Sequence, residues 1–358
     1  MSEMTPIGTG LNPVQESVLA VLEVPADQRP VFPRDIRITA KERLEDAIND
    51  KAPKLADGDH EVFFNKHRLS GVLGCEEKFL AERFHKFEWN TKNAVGTVSH
   101  KALELAFNME GGINANDLAD AAVEQLVMDA VEQMMSDNES MAAFLQDCSE
   151  ADMATLKSGV VERVSKIVEC FPPINNSMNP VTETRLAGTL LGGKVRLSGV
   201  VDLVLNPGAG EPAGAKEAVE DGESWSDKSD GDKSAEADDG LVANKVIIDF
   251  KTGWQQPNHR DDLRFYALLE TMRSGVPPRL LMSLYLDDGD LSVEEVSQEL
   301  LDATIRRVAD AIGRHQELTQ DKTTPKKNTG PPCNWCTLQV ECEEGTKYLE
   351  ERTNYVNA

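Results

Sequence analysis

The stretch from Lys245 to Gly253, KVIIDFKTG, constrains the fold more than any other part of the chain. Three β-branched residues in succession, Val246, Ile247 and Ile248, read as a strand buried on both faces, and such strands belong to sheets covered by helices. Side chains alternate along a strand, so Asp249 and Lys251 leave its end on one face, a carboxylate beside an ammonium. A hard divalent cation needs oxygen ligands, and Asp249 and the main-chain carbonyl of Phe250 can supply them. Lys251 can orient an attacking water or offset charge growing on a phosphate. The same spacing also suits a simple ion pair at a strand end, and Glu76-Glu77-Lys78 repeats it.

The flanking sequence predicts an α/β fold. Residues 1–60 read as an N-terminal extension of unknown role with a helix over 39–50, and the remainder, 61–358, as one domain. Apolar residues fall at helical spacing in LSGVLGCEEKFLAERFHKF, again from Gly96 in GTVSHKALELAF, and over 116–135 and 150–170, a helical insertion. The period then changes to two. VTETRLAGTLL, a Gly192-Gly193 turn and KVRLSGVVDLVL predict an antiparallel hairpin whose second strand lies beside the Asp249 strand. Residues 207–242, poor in apolar side chains, are expected to form a disordered acidic loop. A helix from His259 to Arg273, the strand RLLMSLYL and a last helix over 293–318 complete a mixed central sheet with flanking helices.

The chain carries a formal charge of -25, which disfavours a polyanionic partner, although residues 211–240 supply eleven acids against three lysines. No basic start precedes an apolar run, and no stretch reaches the roughly 20 apolar residues of a membrane span, so a cytoplasmic protein without a membrane partner is expected. Six cysteines in a reducing compartment are read first for metal. GTLLGGK has the letters of a phosphate-binding loop, but Val195 follows where Ser or Thr is needed, and the segment lies in a hairpin.

Asp202 lies within an apolar strand, where a carboxylate is rare unless paired or bound to metal. Two carboxylates converging at one sheet edge can hold a cation that polarises phosphate and lowers the pKa of bound water. His100, expected at or near the start of a helix, can join the metal shell or take a proton. His100, Asp202 after Gly199, the Asp249-Phe250-Lys251 run and Tyr266 together resemble the ordered motifs of the PD-(D/E)XK nucleases, RecB-like branch. The resemblance implies a restriction-endonuclease-like fold, metal ligation by His100, Asp202, Asp249 and the Phe250 carbonyl, and catalysis by Lys251. It also places a Gln four residues before Tyr266, where this chain has Asp262, and an acid at the hairpin start, where it has Glu183.

PPCNWCTLQVEC gives Cys333, Cys336 and Cys342 on a loop spanning 331–345, a spacing that lets thiolates face one centre. A fourth ligand is needed for zinc or a cubane cluster, and Cys75, Cys148 and Cys170 are available. One cysteine before the nuclease motifs and three after them resembles the iron-sulfur branch of the same family, which includes the CRISPR-associated exonucleases and AddB recombination subunits. That resemblance selects Cys75 and a 4Fe-4S cluster, with Glu76 standing where relatives carry a proline. Closing a loop of more than 250 residues fits a structural clamp joining the two ends of the domain.

The expectation is a Mg- or Mn-dependent deoxyribonuclease, an exonuclease on single-stranded DNA or DNA ends, acting in repair, recombination or related processing, with a possible protein partner. The alternative is a nuclease fold without activity, kept as a cluster-stabilised DNA- or protein-binding module.

Overall fold

The computed structural model describes residues 10–57, 61–84, 88–108, 114–133, 136–174, 176–206, 240–253, 255–256, 258–320 and 322–356. The chain runs α1 (Pro13–Leu22), β1 (Val31–Phe32), α2 (Ile36–Lys51), α3 (Pro53–Asp57), β2 (Val62–Phe64), α4 (Lys66–Leu73), α5 (Glu76–Glu82) and α6 (Thr91–Asn108). Three further helices follow, α7 (Ala115–Gln133), α8 (Ser136–Asp147) and α9 (Glu150–Cys170), and then the hairpin β3 (Val181–Leu190) and β4 (Val195–Leu205). The last part is β5 (Leu241–Val242), β6 (Val246–Lys251), α10 (Asn258–Ser274), β7 (Leu280–Tyr285), β8 (Leu291–Glu295), α11 (Gln298–Thr319) and α12 (Glu343–Val356).

A mixed six-stranded sheet divides two layers of helix. Its order is β2-β4-β6-β7-β8, with β3 also on β4. Below one face lie α2, α4, α10 and α11, whose Ile36, Leu44, Leu69, Leu268 and Ile305 share a core with Ile247 and Leu281. Over the other face α1, α6, α7, α8 and α9 bring Leu22, Val98, Leu118, Leu145 and Val160 against Val246, Ile248 and Phe250. Strand β6 is therefore buried on both sides, as its run of β-branched residues requires. In α2 the buried Ile36, Ala40, Leu44 and Ile48 recur every fourth residue, an apolar stripe packed with α10 and α11. Residues 32–55 thus belong to the same core as α10 and α11, and α1 to the other.

Several sequence expectations are corrected. Helix α6 begins at Thr91, not near Gly96, because Asn90 caps it by accepting from the Asn93 N–H at 3.0 Å. Gly74 and Cys75 split the expected helix 69–87 into α4 and α5, and its last three residues lie outside the described ones. The expected acidic loop ends sooner, since Leu241 and Val242 pair with Phe32 and Val31 as a two-stranded ribbon; residues 207–239 lie outside the described residues. The last long helix starts at Gln298, capped by Ser297, and Leu291–Glu295 are instead an edge strand on β7. Helices α1, α3, α8 and α12 were not among the expected elements.

The decisive irregularity is in β4. Residues 195–204 pair antiparallel with β3 along one edge, skipping Glu183 and Asp202. The other edge is shared: β2 pairs in parallel with Val195, Arg196 and Leu197, and β6 pairs antiparallel with Leu203, Val204 and Leu205. Residues 198–202 on that edge are left without a strand partner. Strict alternation would put Val195, Leu197, Val201, Leu203 and Leu205 on one face. Instead the first three pack in the α10 core and the last two in the α6 core, so the strand turns over at Asp202. Opposite it, Glu183 adopts φ 47°, an uncommon left-handed conformation for a residue with a side chain.

Tyr266 of α10 lies flat against this stretch. A Cβ at Gly199 would fall 2.4 Å from Tyr266 Cε1, so only glycine allows the contact. Gly199→Ala is expected to lower the unfolding free energy by about 1–3 kcal/mol, measured by denaturant titration, because Tyr266 is 1% exposed and has no free space to enter.

Candidate active site

The open edge of β4 is where the carboxyl ends of two strands meet. Strand β2 runs parallel to β4 and β6 antiparallel to it, so the two approach each other head to head along that edge. The ladder between β4 and β6 stops at Leu203 with Ile248, and the next opposed pair would be Asp202 with Asp249. Like charges facing each other across a ladder repel, which accounts for the strands parting there. Asp202 Oδ2 takes the place of the missing main-chain acceptor and receives the Phe250 N–H at 2.6 Å.

One residue on, the Lys251 carbonyl accepts from the Leu286 N–H of the β7 side at 2.9 Å. The Phe250 carbonyl, alternating with it, faces the open edge. Phe107 of α6 stacks on the Phe250 ring at 5.7 Å between centroids and fixes this strand end from the helical side.

Cations answer the acids. Lys251 Nζ lies 2.9 Å from Asp249 Oδ2 and 3.0 Å from Asp262 Oδ2. Asp262 stands on α10 one turn before Tyr266, and its other oxygen is 3.5 Å from Ser70 Oγ of α4. The residue in place of the expected Gln is thus the second carboxylate on the site lysine. His100 Nδ1 lies 3.3 Å from Asp202 Oδ1. His100 is the tenth residue of α6, past its middle, not near the helix start as expected. Lys66, the first residue of α4, reaches Asp249 Oδ1 at 3.6 Å, and its ammonium sits 5.4 Å from the centre of the Tyr266 ring.

These distances set the charge states. Burial favours neutral Asp249, but the Lys251 and Lys66 ammoniums outweigh it and hold the carboxyl below its usual value. Burial also opposes charge on Lys251, and Asp249 and Asp262 overcome it, leaving the ammonium held above its usual value. His100 follows the same balance, with burial overcome by Asp202, Asp249 and Glu183, and is raised. Glu183 is pushed up to about 7 by burial and by the Asp202 carboxylate. Tyr266 is raised by burial and the surrounding acids and stays a phenol.

Sequence reasoning missed Lys66, since lysines are common and only its place after a strand and the helix-capping Asn65 marks it. It also missed the pairing of His259 with Tyr285. Their rings stack at 5.6 Å with Nδ1 3.2 Å from the hydroxyl, and burial lowers the imidazole to about 4. Tyr285 pairs with Lys251 in the β6–β7 register, which no local pattern reveals.

Asp202, Asp249 and the Phe250 carbonyl are hard oxygen donors, and His100 is an imidazole donor beside them. Among the described residues no group of three or more His, Cys, Asp or Glu is gathered around one point as it stands. The fit of a divalent ion rests on Asp249 Oδ2, fully buried and without a donor in hydrogen-bonding alignment despite the ammonium at 2.9 Å. A buried carboxylate oxygen left so is open to a cation.

A second constellation lies at the start of α5. Cys75, Cys333, Cys336 and Cys342 line one small pocket, open on one side, with Lys78, Lys327 and Gly345. The Gly345 N–H points at Cys342 Sγ, 3.4 Å away, and a Cβ on Gly345 would lie 3.3 Å from that sulfur and 3.6 Å from Cys333 Sγ. The four cysteines of the resemblance thus line one pocket, beside a glycine whose missing Cβ leaves room next to two of the sulfurs. Cys170 is buried at the end of α9 and Cys148 follows α8, both away from this cavity's lining.

No protein-family model matches the chain, and no curated protein matches it. A solved structure described as the crystal structure of SSO0001 is similar over 70% of this chain and 96% of that chain, at 15% identity and a TM-score of 0.27. So slight a likeness decides neither fold nor function.

Glu76, where the resembled family carries proline, ties the thiol-lined loop to the domain. Its carboxylate accepts from Arg314 Nε at 2.8 Å and Nη2 at 2.7 Å, and from the Lys326 N–H at 2.6 Å. The bidentate Arg314 pair holds the Glu76 carboxyl below its usual value. A lowered folded value contributes stability above the unfolded glutamate pKa, which is lost as pH falls through the folded one. Unfolding free energy measured across acid pH is therefore expected to fall less steeply in Glu76→Gln than in the native chain, from a lower starting value.

Proposed function

We propose that the chain is a RecB-like nuclease of the PD-(D/E)XK superfamily, in its iron-sulfur branch, built on a restriction-endonuclease-like sheet. It hydrolyses phosphodiester bonds of DNA with Mg or Mn, acting on single strands or free ends in repair, recombination or a related process, alone or with a protein partner. The observation that carries this reading is the meeting of Asp202, Asp249 and Lys251 at the open edge of β4, with Lys251 Nζ 2.9 Å from Asp249.

Asp202, Asp249, His100 and the Phe250 carbonyl would hold the divalent ion, which when bound polarises a phosphate and lowers the pKa of water. Lys251 is held charged by two carboxylates, so its part is to offset negative charge developing on phosphate, not to accept a proton. Glu183, opposite Asp202 at the turn-over of the strand, adds a carboxylate beside these ligands. Tyr266 supports the site by packing on Gly199 and facing Lys66. The four thiolates would hold a 4Fe-4S cluster whose role is to pin the C-terminal loop to the start of α5.

The rival reading, an inactive fold that grips DNA or a partner protein, draws on Asp262, which occupies the ammonium that a phosphate would use. Protein purified without air and given Mn2+ is expected to digest end-labelled linear single strands and spare circular ones. Asp249→Ala and Lys251→Ala are each expected to lower the rate about a hundredfold or more. A native chain that digests neither substrate supports the rival. The same preparation is expected to be brown, with absorbance towards the blue that Cys336→Ser removes; a colourless protein containing zinc would contradict the cluster.

A further inference from the structure

Lys66 is the one cation of the site that no motif accounts for, and its placement is costly. An ammonium on the first residue of a helix faces the positive end of the helix dipole, where acids are favoured. The first turn of α4 carries no acid to relieve it. What favours the position is the meeting of strands. Strand β2 ends at Phe64, Asn65 caps α4 by accepting from the Arg68 N–H at 2.9 Å, and the next side chain is delivered to the open edge of β4. There its ammonium meets Asp249 Oδ1.

Asp249 has two lysines, and they differ. Lys251 comes from the same strand, lies 2.9 Å from the carboxylate, is 11% exposed, and is held from behind by Asp262. Lys66 is farther, at 3.6 Å, and more exposed, at 24%, while the carboxylate between them is 2% exposed. At that separation the pair is an ion pair without a hydrogen bond, the weaker and more accessible of the two. In the same position the Lys66 ammonium also lies 5.4 Å from the centre of the Tyr266 ring, a second partner that does not depend on the carboxylate.

Resting on the nuclease reading of this site, we propose that Lys66 is a displaceable counter-ion: it neutralises Asp249 until a divalent ion takes that carboxylate, and then pairs with a non-bridging oxygen of the DNA phosphate. An empty site thereby has a second ammonium beside the buried Asp249 carboxylate. A loaded site gains a cation directed at the substrate. Lys66 is a competitor of the metal and a partner of the phosphate, two roles with opposite consequences on substitution.

The test is Mn2+ binding to the full chain by calorimetry, with no DNA present, for the native protein, Lys66→Met, Lys66→Arg and Asp249→Asn. Removing a positive charge so close to the ligand is expected to tighten Mn2+ binding about tenfold in Lys66→Met, while Lys66→Arg stays near the native value. At saturating Mn2+, the KM for a single-stranded oligonucleotide is expected to rise about tenfold in Lys66→Met and to recover in Lys66→Arg, with kcat less affected. Lys66→Gln serves in place of Lys66→Met if thermal unfolding shows the latter to be misfolded. Native-like or weaker Mn2+ affinity in the folded, uncharged variant overturns the role of Lys66 while leaving the site intact. Native protein that binds no Mn2+, or binding that survives Asp249→Asn, overturns the nuclease reading and this inference together.

Discussion

An unpaired stretch of β4 organises this molecule. Over residues 198–202 neither β2 nor β6 covers the strand edge, and the ends of both turn towards the gap. A sheet interior tolerates few unsatisfied main-chain groups, so such an opening has to be filled by side chains or a ligand. Here Asp202 fills part of it by accepting the Phe250 N–H, and the price is a carboxylate opposite a second, nearly inaccessible one at Asp249. Lys251, Lys66 and His100 then gather to balance two acids, one buried and one half-buried. The composition of the site follows from the opening.

The two helical layers make the opening durable. Strand β4 turns over at Asp202, so its first half is anchored in the α10 core and its second in the α6 core, and neither can slide without unpacking the other. Tyr266 against Gly199 locks the first half, and Phe107 on Phe250 steadies the facing strand end. Far from the strand fork, Glu76 and Arg314 join the start of α5 to the end of α11 and the segment at Lys326. A charged clamp therefore supports the thiol-lined loop in addition to anything the thiols bind.

Much of this arrangement was legible in the sequence because it depended on local pattern. The β-branched run marked β6, the change of period and paired glycines marked the hairpin, and an aspartate within apolar neighbours marked Asp202. The cysteine spacing marked Cys333, Cys336 and Cys342, the resemblance added Cys75, and all four line one pocket. Lys66, Tyr285 and His259 were hidden because they reach the site through register and crossover, which adjacent residues do not encode. The overturned alternation at Asp202 was hidden as well, since VVDLVL reads as an ordinary strand until Glu183 is seen opposite it with φ 47°. Asp262 was visible only as a misfit, and its role as the second acid on Lys251 needed the fold.

The central claim is that the gap between β2 and β6 is a divalent-cation site shared by Asp202 and Asp249. A crystal structure of the native chain grown with Mn2+, with anomalous scattering recorded, tests it most directly. The account predicts an anomalous peak at the strand fork within coordination distance of both carboxylates, with Lys66 moved off Asp249. A fork holding only lysine contacts, with manganese elsewhere or absent, would contradict it.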